Sequence, residues 1–229
     1  MLPDDKGVAK FYELFKVHKK HTAPHTPPER PIISGSGSMN ENIGKFVEAQ
    51  LKDVANTHTC YLQDTPHLLR LLADANKDGL AQDGDIIVTV DVSALYTNID
   101  QDEGLQACKE ALDERKSRDI PSDFILRLLE IILKHNIFEY DRQFFLQVIG
   151  TAMGAVPAVS YANIFMAKKI DPKILEAAGK MSDSNPVIFM KRFLDDILML
   201  WRGSIERLHQ FLKELNSLDR KSTRLNSSH

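Results

Sequence analysis

Two adjacent aspartates interrupt an otherwise apolar run, RFLDDILMLW, at residues 192–201. Such a run is typical of a buried strand, whereas neighbouring carboxylates repel each other and raise each other's pKa unless a cation binds them. The conflict disappears if Asp195 and Asp196 lie at a hairpin bend, where both carboxylates emerge at one end of a buried strand pair. Because aspartate is common in turns, the run alone predicts either a cation-binding bend or an acidic surface turn.

A third aspartate, Asp91, lies near the end of a second strand-like run, GDIIVTVDV, at residues 84–92. Two strand-end acidic motifs about a hundred residues apart suit a two-metal site, in which one metal activates a hydroxyl and the other stabilises a leaving phosphate. Carboxylate oxygens are the ligands that Mg²⁺ and Mn²⁺ prefer. Taken alone, Asp91 could equally be a helix cap or a turn residue.

The charge balance argues against a protein that simply coats nucleic acid, because the formal net charge is −3. A polymerising enzyme is compatible with it, since acidic residues can hold metals while local basic patches meet phosphates. A basic patch near the N-terminus comprises Lys16, His18, Lys19, Lys20 and His21. A solvated loop is the alternative interpretation of this patch. Together with His25, its histidines are spaced loosely like zinc ligands, but they lack cysteine partners.

Residues 143–167 carry no charge and are long enough to span a bilayer. Several polar residues, two glycines and a proline keep the hydrophobicity of this segment modest, so we interpret it as a buried strand, a glycine-rich turn and a buried helix. We therefore expect no membrane association. The two cysteines, Cys60 and Cys108, lack metal-type spacing and indicate a reducing, intracellular setting.

The remaining patterns predict a mixture of helices and strands. Apolar spacing indicates helices over residues 40–55, 66–75, 100–116, 121–136, 160–170 and 204–215. Strands are expected over 30–34, 84–92, 185–193 and 197–201, with a hairpin over 137–148 that turns near Asp141 and Arg142. Neighbouring strands joined by hairpins favour the α+β class over a doubly wound sheet.

Three segments resemble, in order and spacing, the central palm motifs of reverse transcriptases, most closely those of the Penelope-like retroelement family. They are DVSALYTNI (91–99), GTAMGAVPAVSYANIFM (150–166) and RFLDDILMLW. FYELFKVHKK (11–20), RPIIS (30–34) and YLQDT (61–65) are similar to further motifs of that family. Each motif is weakly specific alone. The occurrence of all of them in this order over residues 10–218 is a strong indication of the family.

The resemblance implies the fingers and palm of a right-hand polymerase, with an antiparallel palm sheet backed by helices and the thumb missing. Residues 1–80 would form the fingers side, and 81–218 the palm with residual fingers elements. Residues 219–229 look like the translation of a common sequencing adapter, and we treat them as an artefactual tail. We expect a chain that ends at Leu218, before the thumb, to polymerise poorly or not at all.

The resemblance also assigns the acidic residues. Asp91 and Asp195 would hold two Mg²⁺ ions, or Mn²⁺, with help from the backbone carbonyl of Val92. Asp196 would complete the catalytic trio by supporting the site.

Further residues are assigned to the substrates by the same resemblance. Tyr96 would be a steric gate that clashes with a ribose 2′-OH and so selects deoxynucleotides. Lys16 and Arg30 would neutralise the triphosphate, and Gly154 would let the backbone approach the nucleotide. On the template and primer side the resemblance places Met153 and Phe193.

The implied reaction is RNA-templated DNA synthesis, in which a primer 3′-OH attacks a dNTP α-phosphate and pyrophosphate leaves. The implied partners are an RNA template, a DNA primer and dNTPs, and the implied location is nuclear. Two alternatives stay open. A palm-fold nucleotidyl cyclase would also use strand-end acids and metals, but it does not account for residues 30–34 and 150–166. A catalytically dead, RNA-binding relative of reverse transcriptases is the non-enzyme alternative.

Overall fold

The computed structural model describes residues 7–17, 27–181 and 185–218, together with the backbone of 224–228. The helices are α1 (Glu41–Ala55), α2 (Thr65–Lys77), α3 (Leu95–Asn98), α4 (Gln101–Asp113), α5 (Ser122–Lys134), α6 (Ala158–Phe165), α7 (Asp171–Lys180) and α8 (Ile205–Leu218). A π-helical turn, Met166–Ile170, joins α6 to α7. The strands are β1 (Ala9–Phe15), β2 (Glu29–Ser34), β3 (Ile86–Ser93), β4 (Ile137–Tyr140), β5 (Gln143–Leu146), β6 (Val187–Phe193), β7 (Asp196–Trp201) and β8 (Arg224–Ser228). The mixed α+β class is confirmed.

The first sheet has the strand order β2-β1-β4-β5. Its β4–β5 hairpin turns at Asp141 and Arg142, as predicted, and both residues have positive φ, 48° and 60°. Two consecutive positive φ values are the mark of a type I′ turn, whose twist matches the flanking strands. Strand β1 was not predicted, because only Ala9 of its seven residues is buried and its sequence does not alternate cleanly.

The second sheet has the order β6-β7-β3-β8, and its neighbouring strands are antiparallel. With the connecting helices, it follows a β-α-β-β-α-β order along the chain. Strand β3 buries Val88, Val90 and Val92 on one face, where they join the main hydrophobic core. Because successive residues of a strand point to opposite faces, Thr89 and Asp91 lie on the other face, which is exposed. The acidic residue of β3 is therefore placed on the open face of the sheet.

Helices α1, α4, α5 and α6 contribute to the core behind this sheet. Tyr161 of α6 packs against Gly104 of α4 so closely that a Cβ at position 104 would overlap the tyrosine hydroxyl. The close contact explains why a residue with low helix propensity lies inside α4.

The uncharged segment 143–167 passes through β5, a loop and most of α6. In α6 the side chains are buried except that of Val159, so the predicted buried helix is confirmed. The buried strand predicted before it is wrong, because β5 lies at the edge of the first sheet and its four residues are exposed. Across the described ranges, no helix combines the length and apolarity that a bilayer crossing requires.

Strand β8 lies within residues 219–229, which we treated as an artefactual tail and excluded from the predicted fold. Its backbone pairs with the outer edge of β3, with Asn226 opposite Asp91. An unpaired strand edge offers a row of free N–H and C=O groups, and any extended segment within reach can satisfy them. The artefactual origin of the tail remains a prediction, as does the domain boundary at residue 80.

Candidate active site

The paired aspartates lie at the bend between β6 and β7, as the apolar run predicted. Leu194 and Asp195 form the bend, and Asp196 begins β7 opposite Phe193. Leu194 has φ +54°, a left-handed conformation that costs a residue with a Cβ about 1–2 kcal/mol. Such strain persists only where neighbouring contacts hold it.

Asp91 meets the bend through the pairing of β3 with β7. Asp91 lies directly opposite Asp196, and the Val92 N–H donates a hydrogen bond of 3.0 Å to the Asp195 carbonyl oxygen. Residues directly opposite each other in an antiparallel pair have Cβ atoms about 4.5–5.5 Å apart and share one face. The acidic motifs that lie far apart in sequence are therefore adjacent in the fold.

The electrostatics of the acidic cluster favour a cation. Burial raises the pKa of Asp196, and the negative charges of Asp195 and Asp91 raise it further. No ion pair between described residues neutralises any of the three carboxylates. A bound cation would relieve their mutual repulsion.

The donor set fits Mg²⁺ only as an open site. Among the described side chains, no group of three or more His, Cys, Asp or Glu residues is arranged to enclose a metal ion. Mg²⁺ in phosphoryl-transfer sites is usually held by one or two carboxylates and completed by water and substrate phosphates. The assignment of Asp91, Asp195 and the Val92 carbonyl as such a partial set remains a prediction.

Tyr96 lies in α3, just after the end of β3, and is half-buried. Burial raises the pKa of its hydroxyl, the charge of Asp195 raises it further, and the charge of Arg30 lowers it. Tyr96 therefore lies within electrostatic range of Asp195 and of Arg30.

Lys16 follows β1 directly, and its N–H donates to the Pro28 carbonyl oxygen at 2.7 Å. Arg30 lies opposite Leu14 in the β1–β2 pair. In the described part of the chain, no ion pair or hydrogen bond joins Lys16 to the carboxylates, so its role remains a prediction. The other members of the basic patch, and His25, lie outside the described residues.

Gly154 is packed against β2. A Cβ at this position would overlap the Ile33 carbonyl oxygen, and the Gly35 N–H donates to the Gly154 carbonyl at 3.2 Å. Gly154 therefore makes its closest backbone contact with strand β2. Its proposed approach to a nucleotide remains a prediction.

Replacing Gly154 by alanine should lower the free energy of unfolding by about 1–3 kcal/mol, because the added methyl group overpacks a backbone contact. Gly179→Ala is the matched control. Gly179 lies in α7 with nothing near its Cβ position, so alanine there should stabilise by about 0.5–1 kcal/mol. Thermal unfolding of both variants measures the difference, and an unchanged melting temperature for Gly154→Ala would contradict the packing role.

A cleft of about 780 Å³ opens beside the carboxylates. Its walls are the open face of the second sheet, including Asp91, Asp196 and Phe193, and the start of α2 with the segment before it. Met153 lies elsewhere, in a pocket of about 290 Å³ that it shares with Pro31 and Thr97. The two residues that we placed on the template and primer side therefore line different cavities.

A buried arginine that was not among the predicted site residues lies next to the bend. Arg192 is 1% exposed and forms an ion pair with Asp171, itself 4% exposed. The sequence contains a signal for this burial. Arg192 lies two residues after Met190 in β6, so both side chains point to the core face of the sheet. A charged residue at a core-facing strand position must have a buried partner.

The raised pKa of Asp196 predicts a pH-dependent stability. The folded state binds this proton more tightly than the unfolded state, so ionised Asp196 destabilises the fold at neutral pH. Asp196→Asn should therefore raise the melting temperature at pH 7. The gain should shrink as the pH falls and vanish at about pH 3, below the unfolded-state pKa, where the carboxyl is protonated in both states.

Thermal unfolding at pH 7 and at acid pH measures this effect, with Asp83→Asn in an exposed loop as the control. The control should change the melting temperature little at either pH. A gain from Asp196→Asn of equal size at both pH values would contradict the electrostatic origin.

No protein-family model and no curated protein matches the chain. Among solved structures, it is similar to apo telomerase from Candida tropicalis, with a TM-score of 0.68, 11% identity, and coverage of 100% of this chain and 45% of the telomerase. It is also similar to Candida albicans telomerase in complex with a TWJ fragment of telomeric RNA, with a TM-score of 0.66, 10% identity, and coverage of 97% and 43%.

An elongation-state RNA-dependent RNA polymerase of BmCPV has a TM-score of 0.65 and 11% identity, with coverage of 97% of this chain and 20% of the polymerase. The chain spans about half of the length of the telomerases that it matches and a fifth of the viral polymerase. At these identities the likeness shows the fold alone. The chain has a reverse-transcriptase-like polymerase fold.

Proposed function

We propose that the chain is the catalytic part of an RNA-directed DNA polymerase of a Penelope-like retroelement. The observation that carries the proposal is the meeting of the acidic motifs, with Asp91 opposite Asp196 and Val92 hydrogen-bonded to the Asp195 carbonyl. The polymerase fold and the order of the motifs support it. A catalytically dead scaffold would have no need to keep unneutralised carboxylates together on an open face.

In this proposal Asp91, Asp195 and the Val92 carbonyl hold two Mg²⁺ ions, for which Mn²⁺ could substitute. Bound metal would lower the pKa of the primer 3′-hydroxyl and offset the charge of the departing pyrophosphate. Asp196 adds negative charge beside the two ligands and so strengthens the attraction for cations.

The remaining residues bind and select the nucleotide. Arg30, whose charge lowers the pKa of Tyr96, would counter the triphosphate charge together with Lys16. The Tyr96 ring, held by its half-buried position, would exclude a 2′-hydroxyl and so favour dNTPs over ribonucleotides. A DNA primer paired with an RNA template would enter along the cleft that Phe193 lines, and the corresponding location in the cell is the nucleus.

Primer extension with Mg²⁺ tests the proposal, with a DNA primer on matched RNA and DNA templates. The chain should be assayed by itself and with a thumb domain fused to its C-terminus, because a thumb grips the primer–template. Template-directed dNTP incorporation on RNA by the thumb-containing form is the expected result. RNA binding without incorporation would indicate the scaffold alternative, and a cyclic nucleotide product would indicate the cyclase.

A further inference from the structure

The guanidinium group of Arg192 has an acceptor for each of its five N–H groups. Nε and Nη2 donate to the two Asp171 carboxylate oxygens at 2.9 and 3.1 Å, and Nη2 also donates to the Asn163 carbonyl at 3.3 Å. Nη1 donates to Asn163 Oδ1 and to the Leu194 carbonyl oxygen, both at 2.9 Å. A fully satisfied, buried guanidinium has one orientation, because any rotation leaves donors unpaired.

The anchors of this group lie on the core side of the sheet. Asn163 belongs to α6 and Asp171 begins α7, and the two residues are 5% and 4% exposed. The main chain of Arg192 is held as well, since its N–H donates to the Cys60 carbonyl at 2.7 Å and its carbonyl accepts from Leu62 at 2.9 Å. Arg192 is therefore fixed by segments that are remote in sequence from the bend.

The bond to Leu194 acts on the strained residue of the bend. Leu194 has φ +54°, and its carbonyl belongs to the peptide unit that leads directly into Asp195. The next carbonyl, of Asp195, accepts the Val92 N–H from β3. Two consecutive carbonyls are thus held by different elements, one by Arg192 and one by β3.

We propose that Arg192 is a positioning residue for Asp195, which transmits the placement of α6 and α7 to the bend through the Leu194 carbonyl. The inference rests on the proposed function, since it assigns Asp195 a metal-binding role. Arg192 does not reach the open face itself. It keeps Leu194 in the left-handed conformation that presents Asp195 beside Asp196 and near Tyr96.

Arg192→Lys tests the proposal because lysine keeps the charge beside Asp171 but loses the planar fork that reaches Leu194. Arg202→Lys is the matched control. Arg202 forms the same kind of fork with Asp85 and also donates to the Leu80 carbonyl at 2.7 Å, but it follows the far end of β7. Both variants remove a fork to a carboxylate at one end of the β6–β7 hairpin, and only the first removes it beside the bend.

The first readout is hydrogen exchange of the Val92 amide, measured by NMR in the full chain. Its acceptor is the Asp195 carbonyl, so a loosened bend should make this amide exchange roughly tenfold faster in Arg192→Lys. Amides of α5, which lies away from the bend, should exchange at the parental rate once the change in the free energy of global unfolding is accounted for. If Arg192 only stabilised the fold as a whole, the Val92 amide and the α5 amides would both exchange faster by the same factor.

The second readout is Mn²⁺ affinity, measured from the electron paramagnetic resonance signal of free Mn²⁺. Arg192→Lys should weaken binding by about 10- to 100-fold, the usual effect of removing a partner that orients a metal ligand. Arg202→Lys should bind as the parent does. Unchanged Val92 exchange in Arg192→Lys, or equal acceleration in Arg202→Lys, overturns the positioning role, as does unchanged Mn²⁺ affinity with a loosened bend.

Two further variants separate the possible failures. Asp195→Asn binding Mn²⁺ as tightly as the parent would refute the proposed metal role, while the Val92 measurement would still decide whether Arg192 holds the bend. If Arg192→Lys does not fold, Asn163→Ala replaces it, because this variant keeps the Arg192–Asp171 pair and frees one guanidinium N–H. Faster Val92 exchange in Asn163→Ala is then expected, and parental exchange overturns the proposal.

Discussion

Replacing Asp195 by alanine should reduce dNTP incorporation by the thumb-containing enzyme about a thousandfold or more. The carboxylate would hold the metals that stabilise transition-state charge, a contribution of several kcal/mol, and each 1.36 kcal/mol corresponds to a factor of ten. Single-turnover primer extension on an RNA template measures the loss. Because Asp195 is half-buried at a bend and its backbone bonds remain, the variant should still fold.

The controls for this prediction separate chemistry from binding. Asp83→Ala removes an exposed carboxylate from a loop and should leave the extension rate within twofold, roughly the noise expected of a surface substitution. Affinity for the primer–template should be unchanged in Asp195→Ala, because phosphate contacts dominate that affinity. Incorporation by Asp195→Ala near the parental rate would reject the metal assignment, whichever template is used.

The features that could be predicted from the sequence are those with a local signal. The bend at Asp195 follows from a conflict between two charges and their apolar neighbours, and the turn at Asp141 and Arg142 follows from the strands on either side. The end of β3 at Ser93, two residues after Asp91, is marked by the change from β-branched to polar residues. Each of these signals lies within about ten residues, the range over which periodicity is informative.

Long-range contacts explain most of what was missed. The packing of Gly154 on β2 depends on a strand more than a hundred residues earlier, and no local pattern reports such a contact. Strand β8 forms because β3 offers an edge, and not because its own sequence favours a strand. The partners of Arg192 are also long-range. The alternation of side chains along β6 indicates that Arg192 is buried, but it cannot identify Asn163 or Asp171 as its partners.

Arg192→Met should lower the melting temperature by about 6–20 °C. Removing one partner of a buried ion pair typically costs about 3–5 kcal/mol, because it leaves the other charge buried and unpaired. For a chain of this size each 1 kcal/mol corresponds to about 2–4 °C. Differential scanning calorimetry of the full chain measures the change. Arg202→Met should have a smaller effect, since the Arg202 side chain is 38% exposed and water can solvate the groups left behind.

The double variant Arg192→Met/Asp171→Leu distinguishes stability from placement of the bend. Replacing both partners of a buried ion pair by apolar residues is often neutral, so the double variant should recover most of the melting temperature lost by Arg192→Met. It cannot restore a donor to the Leu194 carbonyl, so the Val92 amide should stay rapidly exchanging. Recovery of both properties would mean that the pair serves only to fill the core. Recovery of stability alone would show that the guanidinium holds the bend in a way that an apolar core cannot replace.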